Sequence, residues 1–312
     1  MSILLNLALL LVLFGVLGFT ADLAVTQIRD VALVLRMKLF TLGILLGIVT
    51  TLPEFSVGIN ATIEQASTLS VGNIMGGIVV VFGLILGTSL MLGRSIETDN
   101  NLKSLLPSSL IILSPFIFGL DGKFGTFDGI MMILLYLALI FYLYRLNRSP
   151  LVGGMALVDK GKTGKSLLIA LGCLIAVILA SHWIIQLTML LLDKVEISKL
   201  MIGLLLFSIG TNLPEITITF TSWRRKAADL SLSHLVASAF TNILVLGILA
   251  VLNPIVFTIG PVYYSLVFFI SLIIILFIIF AHSDRRLSRL EGGVLLFIYV
   301  LFIATNIFLA GR

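Results

Sequence analysis

Two glutamates, Glu54 and Glu215, lie in apolar stretches of the sequence, and each directly follows a proline. Placing a charged side chain such as Asp at the centre of a membrane-spanning helix costs about 2.5–3.5 kcal/mol on insertion scales, so an acid in such a stretch indicates a function. No Lys or Arg lies within either stretch to form a buried ion pair with these acids. The pattern therefore predicts that the two carboxylates bind positively charged ions.

The prolines add backbone oxygens at the same positions. A proline has no N–H and its ring displaces the carbonyl four residues earlier, so Pro53 frees the carbonyl of Val49, and Pro214 frees that of Gly210. Carboxylates and carbonyls are the oxygen ligands that Ca²⁺ takes, typically 6–8 of them at about 2.3–2.6 Å. Two bidentate carboxylates with two carbonyls supply about six oxygens. Their two negative charges balance one divalent ion or two protons.

The composition requires a membrane around these residues. The chain has 312 residues, of which 59% are hydrophobic and only 11% charged, whereas soluble domains carry roughly 25% charged residues. This excludes a water-soluble enzyme, a disordered protein and a nucleic-acid binder. The net charge of +5 matches a membrane protein that keeps Lys and Arg in its cytoplasmic loops, so the expected partner is membrane lipid and not nucleic acid.

Apolar runs of about 20 residues, the length that crosses a bilayer, predict an all-α integral membrane protein with ten transmembrane helices. The predicted spans are Ile3–Ala21, Leu39–Thr62, Gln65–Gly93, Ser104–Leu120, Phe124–Tyr144, Ser166–Leu192, Leu200–Trp223, Leu230–Leu252, Val262–Ala281 and Gly292–Ala310. With this count, 16 of the 20 Lys and Arg residues fall in one set of alternate loops. The positive-inside rule then places both termini outside, in the plasma (inner) membrane.

The sequence contains an internal repeat. Two segments match at the two glutamates, and the match resumes in register eighteen residues later. The matching pairs are Thr50-Thr51-Leu52-Pro53-Glu54 with Thr211-Asn212-Leu213-Pro214-Glu215, and Gly72-Asn73-Ile74-Met75-Gly76-Gly77 with Ser233-His234-Leu235-Val236-Ala237-Ser238. We expect a five-helix repeat in residues 1–144, a cytoplasmic linker in 145–165 and a second five-helix repeat in 166–312. An odd number of helices inverts the second copy, and inverted repeats with interrupted helices are typical of secondary transporters.

At these residues the sequence resembles the sodium/calcium exchanger family, within the cation/calcium antiporter superfamily. The two repeats of that family carry motifs like G-T-S-L-P-E and G-N-x-x-G-S-N. The resemblance implies a calcium site formed by Glu54 and Glu215 with the backbone carbonyls of Thr50 and Thr211. It also implies that helices one and six slide past the remaining bundle and expose the site alternately on each side.

The chain departs from the family pattern around this site. The first repeat has Gly77 where the family has Ser, and Val81 where the family has a polar residue. Asn242 stands where the family often has an acid. Four residues keep the side-chain oxygens that sodium ligands need, and they are the candidate sodium ligands: Thr51, Asn212, Ser238 and Asn242. The resemblance therefore supports the calcium site better than a full set of sodium sites.

These features predict a secondary antiporter that exchanges Ca²⁺ for a monovalent cation, with Na⁺ favoured. Exchange of Ca²⁺ for protons is an alternative, because a proton needs only the carboxylates. A non-transporting membrane subunit or ion sensor that kept the fold is another. No H-E-x-x-H or recognisable nucleophile motif is present, so we expect neither an enzyme nor a cofactor beyond the transported ions.

Three further polar residues have two interpretations each. His234 replaces an asparagine beside the predicted site, where it either relays protons or packs with a hydrogen bond. Asp22 and His182 lie near helix ends, where they act either as gate residues or as interfacial anchors.

Overall fold

The protein is a bundle of helices in a computed structural model, which describes residues 3–34, 39–92, 96–97, 102–146, 160–192, 198–216, 219, 228–283 and 286–310. The first half contains α1 (Ile3–Val34), α2 (Leu39–Thr50), α3 (Leu52–Ile63), α4 (Ser67–Val79), a π-helical segment (Val80–Leu86), α5 (Gly87–Leu92), α6 (Leu102–Phe118), a 3-10 turn (Gly119–Asp121) and α7 (Thr126–Leu146). The second half contains α8 (Lys160–Leu192), α9 (Lys199–Ile202), a second π-helical segment (Gly203–Phe207), α10 (Ser208–Thr211), α11 (Ala228–Leu252), α12 (Pro261–Ser283) and α13 (Arg289–Ala310). Residues 213–216 are helical as well.

Two short antiparallel strand pairs connect loops of the two halves. β1 (Ile96–Glu97) pairs with β4 (Arg286–Leu287), with Ile96 opposite Leu287. β2 (Lys123–Phe124) pairs with β3 (Ile255–Val256). Each pair joins two loops that the charge pattern of the sequence assigns to the same side of the membrane.

Seven helical segments of the described residues are long and apolar enough to cross a membrane: Leu5–Ile28, Ser67–Leu92, Thr126–Leu146, Gly164–Leu192, His234–Leu252, Pro261–His282 and Arg289–Leu309. They agree with the predicted helical membrane protein. The other three predicted spans, Leu39–Thr62, Ser104–Leu120 and Leu200–Trp223, contain shorter or interrupted helices, and the last of them ends outside the described residues. The count of ten spans and the inverted repeat remain predictions.

Helices extend beyond the predicted spans where the apolar run ends at a charge. α1 continues to Val34, past Asp22 and Asp30. Charged residues end the membrane-compatible stretch but do not interrupt helical hydrogen bonding, so a span and its helix differ in length. Helix also covers both ends of the predicted linker, because α7 ends at Leu146 and α8 begins at Lys160. Residues 147–159 of that linker lie outside the described residues.

The bundle places the two motif segments at its centre. α4 packs closely against the π-helical segment Gly203–Phe207, and α11 packs against α2 and α7. At the first contact the backbones nearly touch, because a Cβ on Gly72 would lie 3.1 Å from the Cα of Gly203 and would collide with the carbonyl of Leu200. α1 and α8 pack along one another on the outside of these segments. Other helices of the bundle thus surround the interrupted helices.

Candidate functional site

The first motif interrupts a helix at Thr51, which adopts a turn conformation with φ −87° and ψ 6°. The N–H of Thr51 donates to the carbonyl of Gly47 (3.3 Å), and helical bonding resumes only when the N–H of Phe55 donates to Thr51 (3.0 Å). Pro53 lies between these two bonds and has no N–H to donate. Pro53 thus leaves the carbonyl of Val49 without its helical donor, and no backbone hydrogen bond to the carbonyl of Thr50 is found among the described residues.

The second motif has the same break. Asn212 adopts φ −84° and ψ 12°, almost the values of Thr51 in the first motif. Helical bonding resumes with the N–H of Ile216, which donates to the carbonyl of Asn212 (3.0 Å), and Pro214 contributes no donor. Pro214 likewise leaves the carbonyl of Gly210 without its helical donor, and no backbone hydrogen bond to the carbonyl of Thr211 is found among the described residues. The side-chain amide of Asn212 donates to the carbonyl of Ser208 (2.8 Å), which satisfies one of the carbonyls next to the break.

The two carboxylates come together in the interior. Glu54 and Glu215 are both 0% exposed, and they lie close enough to interact electrostatically. Thr211 lies near the carboxylate of Glu54, and Thr50 lies near that of Glu215. Each motif thus supplies a threonine to the carboxylate of the other, and the four residues expected at a calcium site form one cluster.

The carboxylates differ in their hydrogen bonds. The hydroxyl of Ser238, on α11, donates to Oε1 of Glu215 (2.9 Å). The residue at the matching position of the first repeat is Gly77, which has no side chain to donate. Neither oxygen of Glu54 has a hydrogen-bond partner among the described residues, and the same holds for Oε2 of Glu215.

Two asparagines complete the polar cluster. Asn212 and Asn242 are 0% exposed, and their side-chain oxygens have no hydrogen-bond partner in the described part of the chain. Both amides lie beside Gly77, where an added Cβ would be 3.0 Å from Nδ2 of Asn212 and 3.7 Å from that of Asn242. Together with the oxygens of Glu54 and Glu215, five buried side-chain oxygens of this cluster have no hydrogen-bond partner within the described ranges. Buried acceptors are normally paired, so a group of them suits a cation with hard oxygen ligands.

The remaining expected sodium ligand, Thr51, is buried at the first break. Its hydroxyl donates to the carbonyls of Gly47 (3.2 Å) and Ile48 (3.0 Å). Val81, by contrast, is completely buried and brings only methyl groups, as the sequence indicates.

Asn73 belongs to the site although sequence analysis assigned it no role. Its Oδ1 accepts a hydrogen bond from the hydroxyl of Thr211 (3.0 Å), and its own Nδ2 has no partner among the described residues. Asn73 therefore orients a threonine that lies near Glu54. The signal for it was its place in the second motif of the first repeat, where His234 is the matching residue.

Among the described residues, no three His, Cys, Asp or Glu side chains come together as a metal site. The candidate site instead combines two carboxylates with neutral oxygens. His234 lies one helical turn before Ser238, and its buried Nε2 has no hydrogen-bond partner among the residues that the structure describes. His182 packs edge-on against Trp183 on α8 (ring centroids 5.8 Å apart), and Asp22 lies on α1. The contacts of the described residues do not connect either of these two to the carboxylates.

Comparison with known proteins places these features in a family. A family model described as sodium/calcium exchanger protein matches residues 5–145 and 165–308. The inner membrane protein YrbG of Escherichia coli (strain K12) is 27% identical over 311 residues, covering 94% of this chain and 92% of the relative. The sodium/calcium exchanger MaX1 of Methanosarcina acetivorans is 23% identical over 327 residues, covering 91% and 93%.

The fold has solved counterparts. A structure of the sodium-calcium exchanger NCX_Mj soaked with Na⁺ and Sr²⁺ superimposes with a TM-score of 0.70 at 21% identity, covering 97% of this chain and 99% of that one. At this identity the similarity shows a shared fold. The interrupted helices and the enclosed polar cluster thus lie in the architecture of a membrane exchanger.

Proposed function

Because the chain belongs to the sodium/calcium exchanger family, we propose that it is a secondary antiporter that exchanges Ca²⁺ for a monovalent cation, with Na⁺ favoured, by alternating access. The observation that carries this proposal is the pair of fully buried carboxylates with three oxygens unpartnered in the described residues. An ionised carboxylate buried without a partner is strongly unfavourable, so the pair needs a positive ion. Ca²⁺ with its preference for carboxylate and carbonyl oxygens suits these groups.

We assign the calcium ligands to Glu54 and Glu215, with the carbonyls of Thr50 and Thr211. Each of these carbonyls lies at a helix break, where no helical N–H occupies it. The candidate sodium ligands are the neutral oxygens around the carboxylates: Thr51, Asn212, Ser238 and Asn242. Calcium and the counter-ion would occupy the same carboxylates at different times, which couples their movements in opposite directions.

We further propose ten spans in two inverted repeats, 1–144 and 166–312, joined by the cytoplasmic linker 145–165, with both termini outside the plasma (inner) membrane. Contacts between loops support this arrangement, because they join loops assigned to the same side. Lys199 donates to the carbonyl of Gln65 (3.3 Å), and Thr68 donates to that of Val256 (3.2 Å). Single cysteines at Lys160 and Lys194, in a Cys173→Ala background, should label from opposite sides, and labelling of both from one side would disprove the topology.

Calcium uptake into proteoliposomes with an outward gradient of the counter-ion tests the function. Glu54→Gln and Glu215→Gln should each reduce uptake to the level of protein-free vesicles, because each removes a charged ligand and keeps the shape. Asp121→Asn is the matched control, since Asp121 is exposed and forms an ion pair with Lys123 at the surface (3.7 Å). Near-normal uptake in either glutamine variant would refute the site.

Exchange of Ca²⁺ for protons is the second candidate, favoured by Gly77 and Val81. Neither residue brings a side-chain oxygen to the first half of the site, so that half is poor in neutral sodium ligands. Uptake driven by an imposed pH gradient with Na⁺ absent would support proton exchange. Uptake that responds to a Na⁺ gradient and ignores the pH gradient would exclude it. A non-transporting subunit or ion sensor would show no uptake under either gradient.

A further inference from the structure

A surface groove of about 470 Å³ lies between α5 and α13, on the outside of the bundle. Its lining is apolar except for one charged residue, and consists of Met91, Leu290, Gly293, Val294 and Phe297 with Arg289. Leu290 is 85% exposed and Phe297 is 61% exposed, so the groove opens towards the lipid around the bundle. Its volume falls in the ~300–1,000 Å³ range of ligand pockets, which is enough for a large part of an acyl chain.

Glycines give the groove its shape. Where α5 meets α13, a Cβ on Gly292 would lie 2.9 Å from the carbonyl oxygen of Gly87, and a Cβ on Gly87 would lie 3.0 Å from that of Gly292. The two backbones are therefore in contact, and the helices form the two walls of the groove. Beside this contact, a Cβ added to Gly293 would meet no atom within 4 Å. The missing side chain of Gly293 thus leaves the space open.

The groove is charged at one end only. Arg289 is the first residue of α13, and it follows β4, whose pairing with β1 joins two loops that the charge pattern assigns to the cytoplasmic side. Phe297 lies eight residues further along the same helix, about 12 Å along its axis. An acyl chain that runs past Gly293 to Phe297 would therefore place its headgroup at Arg289.

The chemistry of Arg289 suits a phosphate. A guanidinium presents its N–H donors in a planar fork that binds phosphate oxygens in pairs, and its long stem lies along apolar surface. The acid in the same turn, Glu291, accepts a hydrogen bond from the N–H of Ser288 (2.5 Å) and so caps the start of the helix. Basic pockets between transmembrane helices on the cytoplasmic side bind anionic headgroups. A second copy packed here about a two-fold axis would instead bring another Arg289 to the same interface.

We propose that the groove between α5 and α13 binds one anionic phospholipid, with an acyl chain along Gly293 and the phosphate at Arg289. α5 is the end of the apolar helical segment Ser67–Leu92, which carries Asn73 and Gly77. A lipid in the groove therefore packs against the same helical segment that contributes to the candidate ion site. The binding itself does not depend on the proposed antiport function.

Native mass spectrometry tests the proposal, with the full chain titrated with phosphatidylglycerol or with phosphatidylcholine of the same acyl chains. The native protein should retain one phosphatidylglycerol about fivefold more tightly than phosphatidylcholine, the effect of roughly one basic residue near an anionic headgroup. Arg289→Gln removes the charge and should bind the two lipids equally. Gly293→Leu fills the groove and should abolish the tightly bound lipid of either kind.

Two controls isolate the groove and the charge. Gly172→Leu is matched to Gly293→Leu, because a Cβ on Gly172 also meets no atom within 4 Å and Gly172 lies on α8. Lys123→Gln is matched to Arg289→Gln, since Lys123 is an exposed base on β2. Both controls should keep the fivefold preference.

Equal affinity of the native protein for the two lipids would overturn the proposal, and so would an unchanged preference in Arg289→Gln or Gly293→Leu. A dimer in the native spectrum that Gly293→Leu dissociates would show that a second copy occupies the groove, which would overturn it as well.

Discussion

The two halves of the site share their backbone and differ in their side chains. Thr51 and Asn212 interrupt their helices with nearly identical dihedral angles, because each precedes a Leu-Pro-Glu that imposes the same break. Around these breaks the second half supplies a hydroxyl to its carboxylate from Ser238 (2.9 Å), whereas the first half has Gly77. Both halves thus have the helix break that exposes a carbonyl. Most of the candidate neutral ligands, Asn212, Ser238 and Asn242, lie in the second half.

A second asymmetry concerns the two long outer helices. α8 is tied to α3 by buried hydrogen bonds, between the hydroxyls of Ser56 and Ser181 (2.6 Å) and from Asn60 to Ser181 (2.8 Å). α1 meets the other motif segment through apolar contacts, since a Cβ on Gly210 would collide with the ring of Phe14. Movement of α8 relative to α3 must therefore break polar bonds, whereas the contact of Phe14 on α1 with Gly210 is apolar.

The largest effects on Ca²⁺ affinity should come from substitutions that restore helical hydrogen bonding at the break in each half. Pro53→Ala and Pro214→Ala each restore an N–H that can bond to the carbonyl four residues earlier and let the helix continue through the motif. In a continuous helix the N–H of Glu54 or Glu215 can also bond to the carbonyl of Thr50 or Thr211. We therefore expect the apparent affinity for Ca²⁺ to fall about 30-fold in each variant, a loss of ~2 kcal/mol, because that carbonyl is drawn back into the helix. Titration of Ca²⁺ uptake measures it, with Pro261→Ala, at the start of α12, as the control.

Equal losses in the two proline variants would show that the breaks act equivalently. A loss in one variant only would mean that calcium takes its backbone ligand from a single half. Unchanged affinity in both variants would show that these carbonyls are not calcium ligands.

The next largest effect should come from Ser238→Ala, which makes the second half resemble the first. The variant deletes the hydrogen bond that orients Glu215, and hydrogen bonds to charged groups are worth about 1.5–3 kcal/mol. At the low end of that range, the apparent Ca²⁺ affinity should fall about tenfold. Ser114→Ala is the matched control, because Ser114 is also buried but lies on α6. An equal effect of both substitutions would attribute the loss to packing.

The sequence predicted the centre of the site better than its surroundings. Glu54, Glu215 and their prolines carry a local signal, because an acid in an apolar run and a helix-breaking residue are each visible without partners. The hydrogen bond from Ser238 to Glu215 was not predictable in the same way, although the repeat aligned Ser238 with Gly77. The contact between Ser56 and Ser181 left no signal at all, since serines are common in membrane helices and only the packing of α8 on α3 brings these two together.

A smaller effect should come from the reverse change, Gly77→Ser, which gives the first half the hydroxyl that it lacks. The new Cβ would lie 3.0 Å from Nδ2 of Asn212, so the amide must move by a few tenths of an ångström. We expect the Na⁺ concentration for half-maximal exchange to fall about threefold, a gain of less than ~1 kcal/mol because this shift offsets part of the new ligand. Gly77→Ala, with the same crowding and no oxygen, is the control. If both variants behave alike, Gly77 does not border a sodium position.

The smallest effect should come from Ser181→Ala, which makes the contact of α8 resemble that of α1. The variant removes the hydroxyl that bridges Ser56 and Asn60, but Asn60 keeps its bond to the carbonyl of Ser56 (2.9 Å). A buried hydrogen bond contributes about 0.5–1.5 kcal/mol net, and part of that remains. If α8 moves relative to α3 in each cycle, removal of this hydrogen bond should raise the rate of exchange about twofold and leave the Ca²⁺ affinity unchanged.

Exchange of ⁴⁵Ca²⁺ at saturating Ca²⁺ measures the rate. Thr188→Val is the control, since the hydroxyl of Thr188 donates to the carbonyl of Ile184 in the same helix (2.7 Å). An unchanged rate in Ser181→Ala, with Ca²⁺ affinity also unchanged, would mean that α3 and α8 move together, and that the sliding surface lies on the apolar side of α1.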